Sequence, residues 1–191
     1  MSVYTFMRDH AGRLGLVTRG GPLSWAVFSP CDRYRYALGR TFPTGLFSAI
    51  QTEVPFSISM LNPSTADENV LDPTLRRCES FARREGCTSM LVTNLFAWRS
   101  TDPNALADVD DPVGAANLVI LSHADVFPKM IRVAGWGAFS MRQAKRLREL
   151  AAPAMAVVRT ERGLLRLGSP TQSGDPRHPL YLTGAVPLVP A

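Results

Sequence analysis

The sequence predicts an α/β domain of three layers, built on a central, mostly parallel four-stranded sheet with an N-terminal β-hairpin-like extension. Three observations lead there. Short apolar runs alternate with amphipathic stretches of helical period between Phe56 and Gly168. Two of those stretches open on the same Asp-Pro start, Asp72-Pro73 and Asp111-Pro112. Strand–helix–strand order then calls for right-handed crossovers and parallel neighbours. A chain of 191 residues suits one such domain better than two. Residues 1–23 read as an arm and residues 24–191 as the single α/β domain.

The elements follow in order. The first 23 residues are spotted with Gly and Arg and show weak periodicity. "SWAVFSP" and "RYRYALGRT" read as short strands. In the second, Tyr34, Tyr36 and Leu38 alternate with Arg33, Arg35 and Ala37, the period of a half-buried strand. A Pro- and Gly-containing link leads to "FSISML", the first strand of the parallel sheet. "DPTLRRCESFARREG" is a helix with Asp72 as N-cap, Pro73 in its first turn and Gly86 at its end. Its apolar face carries Leu75, Cys78, Phe81 and Ala82. "TSMLVTNLFAW" is the second strand, "DPVGAANLVILSHA" a helix, "MIRVAGWG" the third strand, "AFSMRQAKRLRELAA" a basic amphipathic helix and "GLLRLG" the fourth strand. The tail from Ser169 reads as loop.

Composition narrows the function classes. With 46% hydrophobic and 19% charged residues the chain is globular rather than disordered. No run approaches the roughly 18 apolar residues of a membrane helix, and the first residues lack a signal-peptide core. The three cysteines, an odd number at spacings that fit no metal knuckle or redox pair, argue for a reducing cytoplasm. Net charge is +5, and Lys129 and Lys145 are the only lysines among 21 basic residues. Arginine forks bind phosphates and stack on bases, although a GC-rich coding bias produces the same excess. The balance permits a nucleotide or nucleic-acid partner, DNA above all, and no membrane.

Ligands of parallel α/β sheets bind beyond the carboxyl ends of the strands. Asn62, Asn94, Gly135–Gly137 and His178 lie at or beyond such ends. Asn62 can hold a water or read a polar edge, Pro63 stiffens the turn, and Ser64 and Thr65 precede a helix start suited to an anion. The alternative for Asn62 is a loop amide capping its own backbone. Asn94 interrupts an apolar strand; its amide pairs either with a base edge or with adjacent loops. Trp98 and Arg99 offer stacking and phosphate contact, or a core ring and a surface charge. Gly135, Trp136 and Gly137 allow close backbone approach but form no complete phosphate loop. Arg177 and His178 precede a proline, and a loop histidine can donate to a developing anion. His10 and His123 are weaker candidates, and three scattered histidines make no zinc site. No cofactor is expected.

Taken together, "YRYALGR", "MLNPSTADENVLDPTLRRC", "TNLFAWRSTDPNAL", "AGWGA" and "SGDPRHPLYL" resemble a bacterial and phage family of unknown function whose signature is the LNPSTAD segment. The resemblance covers Asp32 to Leu182. More distantly, the order of motifs is similar to the uracil-DNA glycosylase superfamily. That similarity implies a uracil-DNA-glycosylase-like architecture and metal-independent hydrolysis of an N-glycosidic bond in modified DNA or a nucleotide. It further implies that Asn62 positions water, Asn94 reads the base, His178 steadies the departing base as an anion, and Leu180 or Tyr181 lies near the minor-groove wedge. The sequence departs from the pattern at Met60-Leu61, where glycine is usual, and at Leu180, where serine follows His-Pro. Those departures keep a non-catalytic binding module, or a nucleotide-tailoring enzyme of a phage modification or defence system, as the alternative.

Overall fold

The computed structural model describes residues 1–42, 52–64, 66–70, 72–122, 127, 129–139, 142–160 and 163–191. Along the chain come α1 (Val3–Arg13), β1 (Val17–Gly21), β2 (Ser24–Phe28), β3 (Arg35–Thr41), β4 (Pro55–Met60), α2 (Pro73–Arg84) and β5 (Ser89–Asn94). A 3-10 turn (Pro103–Asp108), α3 (Asn117–Ser122), β6 (Ile131–Ala134), α4 (Ala144–Arg159), β7 (Leu165–Leu167), a second 3-10 turn (Pro179–Tyr181) and β8 (Leu188–Pro190) follow.

These strands overturn the expected sheet. They form one mixed sheet of eight strands in the order β1-β2-β3-β5-β4-β6-β7-β8. The pairs β1/β2, β2/β3, β3/β5 and β7/β8 are antiparallel, and β5/β4, β4/β6 and β6/β7 are parallel. Antiparallel pairing therefore predominates, and the N-terminal strands are part of the sheet rather than a hairpin-like extension. The miss has a local cause. β1 is "VTRGG" and β8 is "LVP", segments so short, and so interrupted by glycine or proline, that their valines give no strand period to read. Each becomes a strand because a neighbour offers it a ladder.

The N-terminal residues also hold a helix. Ser2 caps α1, its Oγ accepting from Thr5 N at 3.1 Å, and Val3, Met7 and Ala11 are buried. They pack with Trp25, Val27 and Leu91. On the opposite face Met90 and Val92 meet Leu75, Cys78 and Phe81 of α2, since successive strand residues point to opposite sides. α4 lies on the α1 side, its Leu147, Ala151 and Val158 packing with Ala134, while Val133 turns to α2. Helices thus cover both faces of the sheet.

α2 forms as its sequence dictates: Asp72 Oδ1 accepts from Leu75 N at 2.8 Å, Pro73 opens the helix and Gly86 exits at φ 71°. α3 is shorter than expected. Asp111 Oδ1 takes the Gly114 N–H at 2.9 Å and Gly114 adopts φ 87°, a local turn that outcompetes helix until Asn117. Nor is β3 half exposed, because Arg35 and Arg40 are both buried. The strand lies between β2 and β5, and its register against β2 slips between Val27 and Phe28, which redirects the side chains.

The register sets the site. Met60 pairs with Asn94 and Ser59 with Ala134, so β4, β5 and β6 end at one level. Beyond them Leu95 N bonds Met60 O, Phe96 N bonds Leu61 O, and Ser100 N bonds Pro63 O. Two chains leave the sheet side by side.

Candidate functional site

A cleft of about 680 Å³ opens at this end of the sheet. Asn62, Ser64, Trp136, Gly137, Arg177, His178 and Tyr181 line it, together with Arg35, Asp72 and Ser100. β4 delivers Asn62, β6 delivers Trp136 and Gly137, and the tail loop delivers Arg177 and His178.

Asn62 is held by its amide nitrogen, which donates to Ser100 O at 2.8 Å and to Pro63 O at 3.1 Å. Two carbonyls on one side of the carboxamide fix which end is nitrogen. Its Oδ1, with no donor among the described residues, is an acceptor for a ligand or water. Pro63 itself is buried beneath this turn.

His178 is brought to the cleft by a stitched loop. Gly137 N donates to Pro176 O at 3.0 Å. Asp175, 1% exposed, receives a two-pronged contact from Arg148 at 2.9 and 2.6 Å and a hydroxyl from Ser173 at 2.8 Å. Burial works to raise the Asp175 pKa, but the hydrogen bonds and charge of Arg148, with Ser173 and Trp136, overcome it and hold the carboxyl below its ordinary value. His178 Nδ1 accepts from Leu180 N at 3.4 Å. An accepting nitrogen carries no hydrogen, so Nε2 is the donor of the neutral ring. Burial favours this form by pushing the His178 pKa below its usual value, against a weaker upward pull from Asp72. Tyr181, 80% exposed, stands at the mouth with its ring 5.7 Å from that of His178.

Several expected residues lie elsewhere. Asn94 is 1% exposed and does not line the cleft; neither of its side-chain polar atoms has a protein partner among the described residues. It is paired with Met60 of the neighbouring strand, a residue that does line the cleft. Gly135 is also interior, where a Cβ would come within 2.9 Å of Ile58 Cδ1. Trp98 and Arg99 line an adjoining pocket of about 460 Å³ with Arg33, which shares Ser64, Ser100 and Thr101 with the main cleft. There the Arg33 guanidinium lies 5.4 Å from the Trp98 ring. Leu180 is exposed outside the cleft lining. Thr65 and His123 lie outside the described residues.

Two lining residues escape a reading of the sequence. Asp72 is legible as a helix cap, yet it is also the one carboxylate among the described cleft residues. Arg35 has the period of a solvent-facing residue, but β3 is an interior strand buried on both faces. Among the described residues, no group of three His, Cys, Asp or Glu is placed to hold a metal ion, and no helix is long and apolar enough to cross a membrane.

The cleft lies at the carboxyl ends of the parallel strands β4, β5 and β6, the place where open α/β sheets in general take their ligands. The chain belongs to the family described as Protein of unknown function (DUF1643), whose model matches residues 35–180. No curated protein and no solved structure gives a significant match.

Proposed function

We propose that the cleft binds a nucleobase or nucleotide and hydrolyses its N-glycosidic bond without a metal. The observation that carries this is the pairing of complementary groups in one cleft: an Asn62 oxygen open as acceptor and a neutral His178 whose Nε2–H is open as donor. In the proposed reaction Asn62 Oδ1 orients a water toward the anomeric carbon. The new C–O bond forms as the C–N bond breaks, and the bonding electron pair leaves on the base. His178 Nε2–H then stabilises that negative charge by a hydrogen bond. Asp72, in the same cleft, accepts the proton lost by the water. The similarity of the Asn62 and His178 motifs to those of uracil-DNA glycosylases supports the reading; the eight-stranded mixed sheet adds nothing to it.

The test is a panel of oligonucleotides and free nucleotides carrying uracil, hypoxanthine or hypermodified pyrimidines, assayed for abasic sites or released base. Release by the wild type and its loss in Asn62→Ala are expected. No release from any substrate would sink the hydrolase. A second reading, binding without turnover, is favoured by Asn94, which is 1% exposed and does not line the cleft. Saturable base binding with no product would select it.

A further inference from the structure

Arg35 is the buried cation among the described cleft residues. It is 2% exposed, and its Nη1 donates to Ala66 O. Among the described residues Nε is buried with no acceptor, and no carboxylate lies within ion-pair distance of the guanidinium. Nη2 likewise has no hydrogen-bond acceptor among the described residues, and Arg35 is one of the residues that line the cleft. Arg40 and Arg148 differ. Arg40 bonds two carbonyls, and Arg148 closes on Asp175 through both prongs. Asp72 is the nearest source of negative charge in the cleft, but its Oδ1 is committed to Leu75 N. A buried cation without a counter-charge is strongly unfavourable, and proteins pair or neutralise such groups.

We propose that Arg35 is the anion receptor of the cleft, so that its ligand is a phosphorylated nucleoside rather than a free base or nucleoside. The proposal rests on the nucleotide reading above and adds to it which part of the ligand Arg35 holds. Phosphate is the better match than a neutral group because a guanidinium bonds anionic oxygens far more strongly than neutral ones. The surroundings suit it: the hydroxyl residues Ser64 and Thr74 line the same cleft, and α2 begins there, at its positive end. Burial lowers the Arg35 pKa to about 10, which leaves the group cationic at neutral pH.

A purely structural role, clamping Ala66, makes a different prediction from a receptor role. Titration calorimetry of the full chain with nucleosides and their 5′-monophosphates separates them. The monophosphate is expected to bind the wild type at least about tenfold more tightly than its nucleoside, the scale of one charge-assisted contact. Inorganic phosphate should compete with the nucleotide and not with the nucleoside. In Arg35→Gln the ratio should fall toward one while nucleoside affinity holds; an equal loss for both ligands would assign Arg35 to structure alone. If that variant does not fold, the wild-type ratio and the phosphate competition decide. Equal wild-type affinity for nucleoside and nucleotide overturns the receptor while leaving base recognition intact. Binding of neither overturns the nucleotide reading and this proposal with it.

Discussion

Asn62 and Ser100, 38 positions apart, are joined by a 2.8 Å hydrogen bond from the carboxamide nitrogen to the main-chain carbonyl. The bond locks the tip of β4 to the chain leaving β5 and turns the amide oxygen free. Asn62→Ala should cost about 1 kcal/mol of stability, the ordinary worth of such a bond, read as a shift in urea midpoint. Loss of turnover should be far larger, about 10²-fold, because a displaced water no longer meets its target. Asn62→Asp should not rescue it, since a carboxylate would face two carbonyl oxygens.

Gly137 is the position where backbone geometry meets the catalytic proposal. Its φ is 79°, and a Cβ there would lie 3.2 Å from that of His178. Gly137→Ala should destabilise by about 1–2 kcal/mol from the left-handed backbone alone, and should also move His178. Gly135→Ala makes an informative partner: its closest neighbour is the flexible end of Ile58. Ligand affinity relative to stability should suffer more at 137 than at 135, measured by calorimetry and urea unfolding in parallel.

His178 gives the fold a pH dependence. Its folded pKa is pushed below that of the unfolded chain, so the unfolded state binds the proton first as pH falls. The resulting stability is complete above the unfolded value of about 6.5 and is lost between there and the lowered folded pKa. Relative to wild type, His178→Gln should therefore show a flatter stability profile between pH 7.5 and 5.5. Turnover should hold near neutrality and fall in acid, where a protonated Nδ1 can no longer accept from Leu180 N.

Arg148 and Asp175 anchor the loop that carries His178. Breaking a buried pair costs about 3–5 kcal/mol, but Arg148 is 40% exposed and solvent can replace part of its contact. Arg148→Ala is expected to cost about 2 kcal/mol in urea unfolding. Because the Asp175 pKa is depressed, its stabilisation is present above the unfolded carboxyl value and disappears as pH falls through the folded one. The penalty of Arg148→Ala should accordingly shrink below about pH 4.

Local chemistry made much of this chain legible. α2 could be read with its cap, first turn and exit, because Asp72, Pro73 and Gly86 act within a few residues of themselves. The strand ends at Asn62 and Gly137 could be named for the same reason: an apolar run ending in a polar or glycine residue is a one-dimensional signal, as is a loop histidine before proline at His178. Sheet partners could not be read this way. Whether β1 and β8 are strands, and whether neighbours run parallel or antiparallel, depends on residues far away in the chain. Burial is equally non-local. Period alone put Arg35 in solvent, and the place of β3 inside a sheet covered on both faces buried it at the cleft; Asn94 had the pattern of a strand-end ligand and came to rest in the interior, outside the cleft lining. The sequence by itself determined the caps, turns and candidate side chains, since those follow from short-range backbone chemistry. Only the tertiary structure decided the eight-strand order and which candidates share a cleft, because pairing and burial are properties of surfaces that meet in space.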